Sequence, residues 1–307
     1  MTGESHAGLL EELRPAAFAI AYRMLGSVAE AEDVVQEALL RLHGALEAGE
    51  RIESPRAYLA TVTTRLSIDV LRSARVRRET YVGEWLPEPL VTDAAADPAR
   101  HAEMSDSLSL AFLVLLESLS PEQRAAFLLH DVFGYGYGEV AGIVGKSEDN
   151  ARQLAARARR HVDEGRPRFE ASREERDELA RRFFAAAREG EVEALEELLA
   201  DDVVLHGDGG GKVPALGRAV HGARRVAQML GVWSKQGARI PGLSFRPVEV
   251  NGQPGAMSMD GEGRIINVMA LDIAEGRVQE IRSIVNPEKL GHLGPAGNWA
   301  TARGQTP

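Results

Sequence analysis

The spacing of the apolar residues changes once along this chain, and that change limits most what it can fold into. From residue 8 to about 162 apolar side chains recur three and four apart, as in Leu13, Ala17, Ile20, Ala21 and Met24, then Val34, Val35, Ala38, Leu39 and Leu42. That is the spacing of helices with one buried face. From Leu243 onward the repeat shortens to two, in runs at 245–250, 256–259, 265–273 and 278–285. These runs are divided by Asn251-Gly252, Gly261-Glu262-Gly263 and Glu275-Gly276, which are hairpin signals. A helical first half followed by an α+β domain with an antiparallel sheet is therefore predicted. With 307 residues there is room for two or three domains.

Within the helical half, Gly26 and Ser27 separate the first two helices, and Ser54-Pro55 signals a third through Tyr58, Leu59, Val62, Leu66, Val70 and Leu71. Residues 80–98 contain Pro87, Pro89 and Pro98 without helical period and read as a linker. Helical pattern returns near Met104 and breaks at Leu119-Ser120-Pro121. Segments at 121–131, 137–144 and 147–162 follow, the last two joined only by Gly145 and Lys146. Two helices around a tight glycine turn, the second cationic, match a helix-turn-helix. Past a charged stretch at 163–178, helices at 179–188, 192–199 and 223–233 and a strand around Val203-Val204-Leu205 lead into the hairpins.

Charge must be resolved along the chain. The total is −10, from 36 Lys and Arg against 46 Asp and Glu, which by itself argues against nucleic acid. Between 51 and 82, however, seven arginines face three acids, a local +4, and 150–162 has four arginines and no acid. These are two local phosphate-binding surfaces in an acidic protein. Ser147 is a suitable N-cap, and Glu148 and Asp149 complement the helix dipole. Asn150, Arg152 and Gln153 are then types that reach base edges, while Arg157, Arg159 and Arg160, a turn or more farther on, suit phosphates. In the second helix Glu30, Asp33 and Glu37 share a face, turned away from Val34 and Ala38 and available to a basic partner.

The absence of cysteine removes disulfides and cysteine-ligated metal sites. No Glu-x-x-His pair repeats on facing helices as a di-metal bundle requires, so no metal and no cofactor is expected. The longest nearly apolar run, 108–116, is about half of a membrane span. With no signal-peptide pattern at the start, a cytoplasmic location and no membrane partner are expected.

The order of these parts resembles an RNA polymerase sigma factor of the extracytoplasmic-function (ECF) group. AEDVVQEALLRL at 31–42, SPRAYLATVTTRLSIDVLRSARVRR at 54–78 and the segment 119–162 are similar to regions 2.2, 2.3–2.4 and 4. The resemblance implies core RNA polymerase as partner, through the β′ clamp helices and the β flap, with Asp33, Gln36 and Glu37 docking on the clamp helices. It also implies promoter DNA as partner. Arg65, Arg72, Arg75, Arg77 and Arg78 would open and hold the minus-ten element, and the helix from Glu148 would read the minus-thirty-five element. The chain has Arg65 where many ECF factors have Asn, and Leu154 where many have Arg, so promoter sequence does not carry over.

WLPEP at 85–89, DGGGKV at 208–213 and NPEKL at 286–290 resemble the ECF subgroup with a fused C-terminal SnoaL-like domain, a cone of curved antiparallel sheet crossed by helices. The resemblance implies regulation in cis without an obvious separate anti-sigma factor. A contact is expected between Trp85, Leu86 and Pro87 and the residues Asp208, Gly209, Gly210, Gly211, Lys212, Asn286 and Pro287, with Trp85 anchored in a pocket at little entropic cost. His206, Asp208, His221 and Asp260 are the acid/base candidates if the cone is an enzyme. Asp208 stands before three glycines, an ordinary turn-capping position, and no catalytic residue is expected. The Gly211-Lys212-Val213 sequence lacks the context of a P-loop.

The expected domains are region 2 at 8–80, a linker at 81–103, region 4 at 104–165, the SnoaL-like domain at 175–292 and a tail at 293–307. The expected function is polymerase recruitment and promoter opening. The alternative is a DNA-binding regulator whose cone senses a small molecule or is isomerase-like.

Overall fold

The computed structural model describes residues 3–78, 81–92, 107–165, 172–297 and 299, with side chains from residue 6 and, in the third helix, as far as Ser73. Two compact units partition the chain: residues 1–79 with 113–166, and 80–112 with 167–307.

The first unit is helical. Helices α1 (Gly3–Leu25), α2 (Val28–Glu47) and α3 (Pro55–Arg78) pack on one another, and α4 (Leu110–Leu116) crosses the boundary between the units. Then come α5 (Pro121–Phe127), a π-helical turn at Leu128–Val132, α6 (Tyr137–Val144) and α7 (Glu148–Gly165). The caps explain the starts. Ser27 Oγ accepts the Glu30 N–H, Ser54 Oγ the Ala57 N–H, and Ser147 Oγ the Asn150 N–H. Ser120 and Gln123 form a reciprocal capping box with Pro121 at the first helical position. Gly145, at φ 66°, ends α6 in the left-handed conformation that only glycine adopts without cost, and so makes the tight turn into α7. Ala126, Leu129, Val140, Ile143, Ala151 and Ala155 form the core under that turn.

The second unit has α8 (Arg173–Glu189), α9 (Val192–Leu198), α10 (Ala223–Gly237) and α11 (Pro287–Leu290) on a seven-stranded sheet. Its strands are β1 (Val91–Thr92), β2 (Leu199–Asp208), β3 (Val220–His221), β4 (Ser244–Val250), β5 (Gln253–Met259), β6 (Ile265–Ala274) and β7 (Arg277–Ile284), in spatial order β1-β4-β5-β6-β7-β2-β3. The β4-β5-β6-β7 run is the antiparallel meander that the alternation predicts. Asn251 and Gly252, at φ 51° and 77°, turn β4 into β5, and Glu275 and Gly276 do the same for β6 and β7.

Two features depart from local expectation. The β2–β7 pair is parallel, because β2 reaches the sheet from α9 instead of through a hairpin. The linker also supplies β1, paired with β4 through Val91 with Val250 and Thr92 with Glu249. Its prolines lie outside those two residues, leaving the N–H groups of β1 free to join a ladder. On β6, Met269, Leu271 and Ile273 face the helices in the main core. The opposite face of β6 is also buried, with α11 packed on it.

Candidate regulatory and nucleic-acid interfaces

The triple glycine is a seat for the linker. Asp208, fully buried at the end of β2, holds both carboxylate oxygens against linker donors. Oδ1 accepts from the Tyr81 hydroxyl at 2.5 Å, and Oδ2 accepts from the Leu86 N–H at 2.8 Å and from Lys289 Nζ at 2.6 Å. Lys289, also buried, donates in addition to the Leu86 carbonyl, and its ammonium lies over the Tyr81 and Trp85 rings at 4.9 and 4.3 Å. Asn286 caps α11 through its Oδ1 and donates from Nδ2 to the Tyr81 oxygen at 3.0 Å. Burial, with the neighbouring Asp208 carboxylate second, pushes the Tyr81 phenol far above its ordinary pKa, so it is a hydrogen-bond donor at all physiological pH.

Glycine is required here for two reasons. Gly210 and Gly211 have φ of 58° and 70°. A Cβ on Gly210 would lie 2.2 Å from Asn286 Nδ2, and one on Gly211 2.9 Å from Val82 Cβ. Gly209 turns the chain by accepting from the Lys212 N–H, and Lys212 pairs with Glu288 at 2.8 Å.

The linker stays pinned past the seat. His292 Nε2 meets the Pro89 carbonyl at 2.8 Å, while Asn251 exchanges hydrogen bonds with the Leu90 backbone and donates to the Leu108 carbonyl. Glu84 lies 3.2 Å from His206. Burial, then the nearby Arg282 cation, holds that imidazole below its ordinary pKa.

The structure brings Leu86 of WLPEP to Asp208, and Leu86 is buried while Trp85 is half-buried with its ring over the Lys289 ammonium. Tyr81 and Lys289, the two main partners of Asp208, were not singled out, although Lys289 lies inside NPEKL. The burial of the Lys289 ammonium, which needs a carboxylate beside it, is visible only in the tertiary structure.

Of the enzyme candidates, Asp208, Asp260 and His206 are engaged by protein partners. Asp208 is spent on the seat. Asp260 closes the β5–β6 turn by accepting from the Glu262 and Arg264 N–H groups and from Arg264 Nε. His206 faces Glu84 and Arg282, and His221 is exposed on β3. None of the four lines the large cavity of this unit.

In the helical unit Asp33, Gln36, Glu37 and Leu40 form an exposed stripe on α2, with Gln36 and Glu37 three and four residues after Asp33 and Leu40 three after Glu37. Leu40, at 58% exposure, is a large apolar side chain on that stripe. On α7, Asn150, Gln153, Arg157 and Arg160 are exposed, but Arg152 is paired with Glu148 and Asp149 and lies over the Tyr137 ring. Arg159 is held by Asp131 at 2.6 Å.

Two of the minus-ten candidates are engaged by the helices α5 and α6. Arg65 donates to the Ile143 and Gly142 carbonyls at the end of α6, at 3.0 and 2.8 Å. Arg72 pairs with Glu122 of α5 at 2.6 Å. Arg124, buried beneath this junction, donates to the Met24 and Leu116 carbonyls and to Glu117. Burial pushes its pKa down to about 9, which leaves it a cation at neutral pH. The side chains of Arg75, Arg77 and Arg78 lie outside the described residues. Among the described residues no helix is long and apolar enough to cross a membrane, and no cluster of ligating side chains is arranged to hold a metal ion.

Comparison with known proteins matches these units in order. Residues 9–77 match Sigma-70 region 2, residues 109–162 match Sigma-70, region 4, and residues 180–285 match a SnoaL-like domain. The chain is 40% identical over 290 residues to the ECF RNA polymerase sigma factor SigJ of Mycobacterium tuberculosis, covering 91% of each. It is 34% identical over 278 residues to the probable ECF RNA polymerase sigma factor SigI of the same organism, covering 89% of this chain and 91% of that one. The crystal structure of Mycobacterium tuberculosis SigJ superposes with a TM-score of 0.75 at 37% identity, over 93% of this chain and 98% of that one.

Proposed function

The chain belongs to the extracytoplasmic-function RNA polymerase sigma factors with a fused SnoaL-like domain, and on that premise we propose that its C-terminal domain regulates initiation in cis by holding the linker between regions 2 and 4. The observation that carries this reading is Asp208. A single buried carboxylate takes a hydroxyl from Tyr81 and an N–H from Leu86, so one interaction fixes two points of the segment that joins the DNA-binding regions. The linker's course then decides where region 4 can go, because a chain pinned at Tyr81, Leu86 and Val91 has lost most of its reach.

In the bound state Asp33, Gln36 and Glu37 dock on the β′ clamp helices, and region 4 meets the β flap. Arg65 and Arg72 must let go of region 4 before they can face the minus-ten element, alongside Arg75, Arg77 and Arg78. Opening is driven by contacts with bases available only outside the duplex, and the polymerase performs all nucleotide chemistry. Asn150, Arg152 and Gln153 read the minus-thirty-five element, and Arg157, Arg159 and Arg160 hold its phosphates. Arg159 must first leave Asp131. The protein acts in the cytoplasm, with core polymerase and promoter DNA as partners and no separate anti-sigma factor.

The test is transcription in vitro with core polymerase, comparing the full chain, D208N and a chain ending near residue 165. Promoter-specific transcripts are expected from the full chain, with altered output from both variants. No promoter-specific transcript from any of the three would defeat the docking and promoter assignments. Identical output from all three would defeat regulation in cis.

A further inference from the structure

The C-terminal unit contains a second feature that the linker seat does not use, a cavity of about 1130 Å³ between the helices α8 and α10 and the strands β4, β5 and β6. Its size exceeds the roughly 300–1,000 Å³ of pockets that take drug-sized ligands. Phe184, Trp233, Leu243 and Met269 give it an apolar wall. At its floor Ser258 and Asn267 are opposite one another across β5 and β6, 3% and 5% exposed. Asn267 Oδ1 accepts from Ser283, and Ser258 and Asn267 both line the cavity as polar groups in its floor.

Charge at the cavity is asymmetric. Four arginines of α8 line it against Asp177 and Glu249. Arg173 is paired with Glu249 and Asp177, Arg181 with Glu178, and Arg188 with Glu189. Arg176 alone of the four has no carboxylate among the described residues. Its one partner is the neutral Gln253 Oε1 at 3.1 Å, and its buried Nε has no acceptor. A half-buried guanidinium with unused donors beside an apolar cavity is matched by a planar anion with an apolar body.

We infer that this cavity is a binding site for an apolar carboxylic acid, with the carboxylate paired to Arg176, the hydrocarbon body along the Phe184, Trp233 and Met269 wall, and Ser258 and Asn267 meeting an oxygen carried farther along that body. This inference stands apart from the linker seat, whose residues do not line the cavity.

The test uses the full chain and two fluorescent probes that differ by one charge, 8-anilinonaphthalene-1-sulfonate and its uncharged parent N-phenyl-1-naphthylamine. The anionic probe should bind saturably. R176Q should weaken it by at least about tenfold, the effect of removing one partner of a desolvated charge pair. R176K, which keeps the charge but not the planar fork, should fall between the parent and R176Q, and the uncharged probe should be indifferent to both changes. Laurate should displace the anionic probe, and methyl laurate should not. A256W, which fills the cavity from β5, should abolish binding of both probes while thermal unfolding remains cooperative. Absence of saturable binding to the parent protein, unchanged anion affinity in R176Q, equal displacement by the ester, or full binding by a folded A256W would each overturn the assignment.

Discussion

Replacing Asp208 by Asn keeps the shape of the linker seat and removes its charge, and the size of the effect follows from burial. Lys289 and Asp208 expose only 8% and 0% of their side chains, so in D208N the ammonium remains buried opposite a neutral amide. Breaking a buried pair from one side costs about 3–5 kcal/mol. The amide also turns one acceptor of the Tyr81, Leu86 and Lys289 donors into a donor. At about 1.4 kcal/mol per decade, linker docking should weaken roughly 100- to 3,000-fold. Amide exchange in the full chain is the assay. Residues 81–92 should lose protection by about that factor while the central strands β5 and β6 keep theirs. The double variant D208N/K289M removes both charges and should recover most of the loss, because a buried pair replaced by neutral groups is often close to neutral in stability. Protection at 81–92 within about threefold of the parent in D208N, with β5 and β6 intact, would refute the reasoning. Parallel loss in all three segments would show that Asp208 supports the whole domain and not the linker alone.

Further outcomes follow from the same structure. G210A should destabilise the C-terminal unit by more than G263A in thermal unfolding. Both positions have positive φ, worth about 1 kcal/mol, but only Gly210 would push a Cβ into Asn286. R124M should cost roughly 3–5 kcal/mol in unfolding of the helical unit, since Glu117 and the Met24 and Leu116 carbonyls lose their only shared cation. Burial alone would raise the Glu122 carboxyl, yet the hydrogen bond and charge of Arg72 outweigh it and hold the group below the usual glutamate range. The pair therefore contributes above about pH 4.3 and is lost as the pH falls through the lowered value. An NMR titration of the Glu122 carboxyl carbon should show this, with R72Q returning it to the ordinary range.

The sequence by itself determined the elements whose causes are local. Helical period, the serine caps and the glycine turn at Gly145 mark α1 to α7, because each depends on backbone preferences within a few residues. Asn251-Gly252 and Glu275-Gly276 mark the meander for the same reason. The motifs WLPEP, DGGGKV and NPEKL were legible as a group, and of the α2 face read from spacing Asp33 and Glu37 are exposed while Glu30 is half-buried. What only the tertiary structure decided is which side chain meets which. Tyr81 and Lys289 reach Asp208 across 127 and 81 positions of sequence, and no period or spacing encodes such a meeting. Strand β1, the parallel β2–β7 pair and the hold of region 4 on Arg65 and Arg72 share that origin. A basic helix looks the same in sequence whether its arginines face phosphate or a neighbour's carbonyls. Only packing chooses between them, because the free energy of a charged group depends on which partner and how much water the fold leaves beside it.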